Sequence, residues 1–363
     1  MARVRGVPVI VTPSWIIIAG LLTAIYAPLI KDGVPRLGDT ASYAAAAGFA
    51  VLFAACVLAH ELGHTLVSLA LGYPVKQVVL FALGGASEID GEPNRPRDEL
   101  LIAGSGPLVS LVIGGLGWLG FSLAPSGELV TVLLGLLCWS NLLLAAFNVL
   151  PGLPLDGGRL VRAAACGLGA QPLTATRIAA WCGRLVAVGV GVSGLIVDRS
   201  STGFAAGVFT IGLAAYLWLA ASQALKLAEL TAALPEIDVP TLLRPGMYLP
   251  EDISVGEALH RAWTAQARGL VLLDRAEQPV AIVDEARIGA VPPQQRPWTP
   301  VSSVARRLEP GLMVPADIDA EELLRRMQET PAHEYLVVRP DGSAAGIIAS
   351  RDFVHRLTAR PAG

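Results

Sequence analysis

The 363-residue sequence is short of charge: 16% of its residues are Asp, Glu, Lys or Arg, while 53% are hydrophobic. A soluble domain carries about 25% charged residues, so the deficit excludes an ordinary water-soluble globule and makes the bilayer the natural solvent. Basic excess is missing too, because 27 Lys and Arg stand against 30 Asp and Glu, a net charge of -3. The chain therefore lacks the positive surface that nucleic-acid binding demands. Cysteine is scarce: Cys56, Cys138, Cys166 and Cys182 sit in or beside apolar stretches with no CxxC spacing. That argues against both a disulfide framework and a sulfur metal site. Cys56 precedes His60 by four residues and shares its helix face, but better ligands lie beside it. No small-residue cleavage site follows the basic start MARVRG, so the first apolar run reads as a retained span.

Six apolar stretches are long enough to cross the hydrocarbon core as helices: 15–29, 44–71, 100–123, 129–150, 178–197 and 204–225. Arg3 and Arg5 precede the first, Lys76, Arg95 and Arg97 follow the second, and Arg159, Arg162 and Arg177 follow the fourth. Only Lys31, Arg36 and Arg199 fall on the other side, so the positive-inside rule puts both termini in the cytoplasm of a multi-pass cell-membrane protein. Residues 75–89 are too short to cross, rich in β-formers and interrupted by Gly84-Gly85. They read as a hairpin or re-entrant element.

The composition changes after Leu230. Pro235, Pro240 and several acidic residues make 231–240 a linker, and 241–363 is charged enough to be soluble. That tail repeats itself with a constant offset of 65 residues: Leu243, Pro245, Gly246, Pro250 and Asp252 recur as Leu308, Pro310, Gly311, Pro315 and Asp317. Each copy places an amphipathic helix before two short β-rich runs and a closing helix, so two α/β units should pack together. The tail resembles a pair of CBS domains, regulatory modules that in many proteins bind adenine nucleotides. In GIIASRDF, Asp352 matches the family's ribose-contacting Asp, while Ala349 stands where Thr is usual. The resemblance implies either a nucleotide site around Asp352 or a ligand-free module that forms a homodimer.

The chemistry sits in the second span. In His60-Glu61-Leu62-Gly63-His64, two histidines four residues apart share a helix face and can grip one metal ion. Glu61 is placed as a general base, taking a proton from water and returning it to a leaving amine. Two histidines and a glutamate inside an apolar span are expensive without a partner, which makes a functional site the default reading. Catalytic zinc takes three protein ligands and keeps one position open, so a third ligand must come from elsewhere. Asp156 is the candidate: it lies in FNVLPGLPLDGG, where prolines and glycines end the fourth span and let irregular backbone approach the site. Glu88, Asp90 and Asp98 are rivals on the same side of the membrane. Asn148, eight residues before Asp156, is a candidate donor to a developing oxyanion, and Asn141 a weaker one.

With HELGH in one span and FNxxPxxxxDG after another, the chain closely resembles the site-2 protease family of intramembrane zinc metalloproteases, in the branch with C-terminal tandem CBS domains. GVPVIVTPSW, LFALGG and GSGPLVS also look like family segments, although Ser110 stands where Asn is common. The expected fold is a multi-pass α-helical membrane domain (1–230) of about six spans followed by an α/β tandem CBS-like domain. The resemblance implies one zinc held by His60, His64 and Asp156, with Glu61 as base and Asn148 as a transition-state contact. It also implies cleavage of a transmembrane segment in a membrane protein such as an anti-sigma factor or membrane-tethered regulator. The rival reading is a metal-ion transporter or channel gated by a CBS pair. A conducting path needs polar residues recurring along several spans, whereas here they gather at one depth on two.

Overall fold

A computed structural model describes residues 2–81, 84–91, 93, 95–196, 201–267 and 269–358, without the side chains of residues 2, 201–206 and 285. The chain divides into two compact units, Met1–Ala228 and Glu229–Gly363.

The first unit contains strands β1 (Ala2–Val4) and β2 (Val7–Val11), then helices α1 (Ser14–Gly33) and α2 (Asp39–Ala70). Strands β3 (Val75–Phe81) and β4 (Gly84–Ile89) follow, and after them α3 (Pro96–Leu123), α4 (Leu129–Val149), α5 (Asp156–Gly167), α6 (Pro172–Ile196) and α7 (Ser201–Ala233). Six of these helices, all but α5, are long and apolar enough to cross a membrane. Large side chains such as Ile16, Leu108, Trp118, Trp139 and Leu143 are exposed, whereas Ser42, His60, Glu61, His64, Ser68, Ser110 and Asn141 are buried. Apolar outside and polar inside is the inverse of a water-soluble protein and suits a solvent of lipid tails.

The segment expected as a hairpin is one: β3 and β4 pair antiparallel with Leu80 opposite Gly85. Its tip, residues 82 and 83, lies outside the described residues, as do Val197 and Arg199. The hairpin belongs to a larger sheet in the order β1-β2-β3-β4, in which β2 runs parallel to β3 with Val9 opposite Val78. Val7, Val9, Val75 and Val78 form a small core against Leu58 and Leu69 of α2. Among the described residues β4 is thus an edge strand beside α2, with no strand paired to its outer side. The parallel pairing joins segments about seventy residues apart, and local patterning could not foresee it.

The second unit consists of two successive sets of strands and helices. Copy one is β5 (Met247–Pro250), α8 (Val255–Thr264), β6 (Leu270–Leu273), β7 (Pro279–Val283) and α9 (Glu285–Ala290), closed by β8 (Ala305–Arg307). Copy two is β9 (Met313–Pro315), α10 (Ala320–Glu329), β10 (Glu334–Val338), β11 (Ala344–Ala349) and α11 (Ser350–Thr358). The first turns of α8 and α10 are capped alike, by Ser254 accepting from the Glu257 amide and Asp319 from the Glu322 amide. Val271 and Ile282 of one sheet pack on Leu336 and Ile347 of the other, and this apolar seam joins the copies. Within 231–240, two 3-10 turns bury Leu234 and Val239 in the core of the second copy. The stretch is thus structured chain rather than an open tether; its prolines make turns, and the few apolar residues between them do the docking.

Candidate metal centre

His60 and His64 project from one face of α2 into the bundle, where 3% and 4% of their surface remains exposed. The opposing carboxylate comes from the first residue of α5, a helix end whose partial positive charge favours an acid. Irregular residues 150–155 deliver it there. The Leu153 amide donates to the Ala179 carbonyl of α6 at 3.1 Å, and α6 has Gly183 at the crossing because a Cβ there would strike the Leu153 carbonyl oxygen. A second anchor ties α5 to α3: Arg162 donates through Nε and Nη2 to Glu99 Oε1, both at 2.7 Å. Both side chains are largely buried, where a charge persists only with a close, hydrogen-bonded partner.

The three donors form a nearly equilateral triangle. His60 Nε2 lies 3.1 Å and His64 Nε2 3.2 Å from Asp156 Oδ2, and the two nitrogens are 3.3 Å apart. Zinc bonds of roughly 2.0–2.1 Å in a tetrahedron set neighbouring donors about 3.3 Å apart, so the donor set matches zinc in chemistry and spacing. The second ring nitrogens are committed: His64 Nδ1 donates to the Ile102 carbonyl at 2.7 Å, and His60 Nδ1 meets Ser110 Oγ at 2.9 Å. Donation from Nδ1 leaves the Nε2 lone pair aimed at the shared centre, the usual outer support of a histidine ligand. Ser110, standing where Asn is common, still reaches the ring. Backbone of α3 closes the other side; a Cβ on Gly106 would fall against His64 Nε2 and within 2.6 Å of His60 Nε2.

Glu61 lies beside this triangle, 7% exposed. Ser87 of the edge strand β4 sits 2.9 Å from Glu61 Oε2 and 3.0 Å from the Glu61 carbonyl. The glutamate of the HELGH sequence is therefore oriented by the edge strand.

Other sequence candidates are placed differently. Asp90 pairs with Lys76, Asp98 accepts from Tyr73, and Glu88 accepts from Gln77, which commits all three rival ligands elsewhere. Asn148 is half-buried and donates to the Leu144 carbonyl of its own helix at 3.1 Å. Asn141 is fully buried and donates to the Leu137 carbonyl. Among the described residues the cysteines form no disulfide, and Cys56 and Cys138 are buried. In the second unit, Asp352 receives Arg244 in a bidentate pair, Nε to Oδ2 at 2.6 Å and Nη2 to Oδ1 at 2.7 Å. The pair lines a cavity of about 430 Å³ together with Thr241, Gln266, His355 and Arg356.

Sequence reasoning missed Ile102 and Gly106, which act through backbone and through the lack of a side chain, and the Glu99–Arg162 anchor. Gly106 lies in the GSGPLVS segment, but nothing there marks its part in the site; each depends on α3 lying against α2 and α5.

The model of peptidase family M50 matches residues 48–126 and 121–190, and that of the CBS domain matches 301–359. A protein of Synechocystis named as a zinc metalloprotease is 28% identical over 97% of this chain and 93% of its own length. A zinc metalloprotease of Methanocaldococcus jannaschii is 27% identical over 85% of this chain and 84% of its own. Among solved structures, the site-2 protease from the same archaeon covers 61% of this chain and 93% of its own, at 26% identity and a TM-score of 0.44.

Proposed function

Because the chain is a zinc metalloprotease of peptidase family M50 with a CBS domain behind its membrane part, we propose that it cuts a transmembrane segment of another membrane protein. The observation that carries this reading is the buried His60–His64–Asp156 triangle with Glu61 beside it under an open strand edge. In this reading His60, His64 and Asp156 hold the metal. A zinc ion there supplies Lewis acidity, which makes water a competent nucleophile near neutral pH. Glu61 accepts the proton from the attacking water and hands it to the amine of the departing strand. Asn148 turns its amide from Leu144 toward the oxygen that gains charge as the carbonyl is attacked. An unwound substrate adds to the edge of β4, which satisfies backbone groups that a broken helix would leave bare in lipid. Ser87, on the same strand, holds the base in line with it.

The basic segments around spans one, two and four put both termini and the site on the cytoplasmic side, so the released fragment enters the cytoplasm. The substrate class is then a membrane-tethered regulator, for instance an anti-sigma factor. Purified protein reconstituted with single-pass substrates should cut within their spans, lose the activity on chelation and regain it with added zinc. Cleavage confined to soluble loops would sink the proposal.

For the tail we propose an adenine nucleotide in the cavity beside Asp352, where Arg244 and Arg356 offer cations to its phosphates and His355 lines the wall. A ribose bound by Asp352 must displace Arg244 from it. Millimolar AMP or ATP should therefore raise the unfolding temperature of the full-length protein, and Asp352→Asn should reduce that shift. An unshifted temperature combined with a dimer in solution would instead favour a ligand-free dimerisation module.

A further inference from the structure

Arg184 is a charge inside a helix built to face lipid. It stands 12 residues beyond Pro172 at the start of α6, about 18 Å along the axis. Its guanidinium lies 4.7 Å from the ring centre of Trp181 on the same helix and 5.5 Å from that of Trp218 on α7. Nε and Nη2 both donate to Ser222 Oγ, at 3.3 and 3.1 Å, and Ser222 donates to the Trp218 carbonyl. The groove is open, with 53% of Trp181 and 42% of Trp218 exposed. Lys226, one turn past Ser222 on α7, is exposed as well.

Among the described residues, Arg184 contacts the two rings and Ser222 Oγ and is paired with no carboxylate. One serine oxygen takes two of the five guanidinium N–H groups; among the described residues the others have no acceptor, in a region where water is scarce. Stacking on two tryptophans eases the charge but accepts no in-plane hydrogen bond. The missing component is an anion with several acceptor oxygens and an apolar body able to lie along the outer faces of Leu185, Val188 and Leu219, which are exposed.

We propose that the groove between α6 and α7 binds the headgroup phosphate of an anionic phospholipid. Arg184 and Lys226 supply the charge, Trp181 and Trp218 supply further N–H donors, and the acyl chains run along the apolar faces of both helices. Basic pockets between spans are where anionic headgroups dock.

The test is native mass spectrometry of the full-length protein released from detergent containing equal mole fractions of phosphatidylglycerol and phosphatidylcholine with the same chains. Wild type should retain phosphatidylglycerol preferentially. Arg184→Gln should lower that retention roughly fivefold, the order expected for one basic residue at an anionic headgroup, and Arg184→Lys should restore most of it. Thermal unfolding of wild type should rise with phosphatidylglycerol and not with inorganic phosphate alone. Equal retention of the two lipids by wild type, or undiminished retention by Arg184→Gln, would overturn the proposal, and so would an equal shift from inorganic phosphate. Should Arg184→Gln fail to fold, Lys226→Gln at an exposed position carries the same comparison.

Discussion

Glu61→Gln is expected to lower proteolysis by on the order of 10³-fold while leaving zinc bound at wild-type stoichiometry. The substitution keeps the shape of the side chain and the hydrogen bond with Ser87 Oγ, but an amide cannot take the proton of the attacking water. The His60, His64 and Asp156 donors are untouched, with their mutual spacing of 3.1 to 3.3 Å set by α3 and α5 rather than by Glu61. Zinc content by atomic emission and cleavage of a reconstituted substrate, measured on the same preparation, check both halves. Retained cleavage would remove Glu61 from the mechanism. Joint loss of metal and activity would make it a structural support instead. Since the unreactive variant should still engage substrate, cross-linking on Glu61→Gln also offers a route to the substrate itself.

The parts of this site that were legible in the sequence are those encoded within one helix or by chain-breaking residues. His60 and His64 are neighbours on any α-helix, so a spacing of four suffices to pair them. Asp156 was marked by the prolines and glycines of 151–158, which announce irregular backbone at the end of a span. Helix α5 was not foreseen, because Gly157-Gly158 lowers its intrinsic propensity; packing against α3 and α6 outweighs that cost. Strands β1 and β2 were likewise hidden, since their order depends on a parallel partner far along the chain. In the tail the repeat pointed to an amphipathic helix, two strands and a closing helix in each copy, but not to the leading strands β5 and β9 or to β8, and nothing in it revealed that the carboxylate of Asp352 is held by Arg244, 108 residues upstream.

Packing around α3 leads to the second large effect. Gly106→Ala is expected to strip the site of zinc and to abolish cleavage, although the change adds a single methyl group to a helix that alanine otherwise favours. The added Cβ would fall against His64 Nε2 and within 2.6 Å of His60 Nε2, a separation that nonbonded carbon and nitrogen do not tolerate. Neither ring can swing away cheaply, because His64 is held by the Ile102 carbonyl and His60 by Ser110. The backbone of α3 cannot retreat without breaking those same contacts. The methyl group therefore takes up the volume in which the three donors converge. Gly104→Ala is the matched control: it lies on the same helix and its Cβ would meet nothing within 4 Å, so it should leave zinc and activity intact and raise stability by about 0.5–1 kcal/mol. Zinc stoichiometry and cleavage of the two variants, measured side by side, decide the matter. Full zinc loading in Gly106→Ala would mean that the histidines point elsewhere and that the triangle is not the metal site.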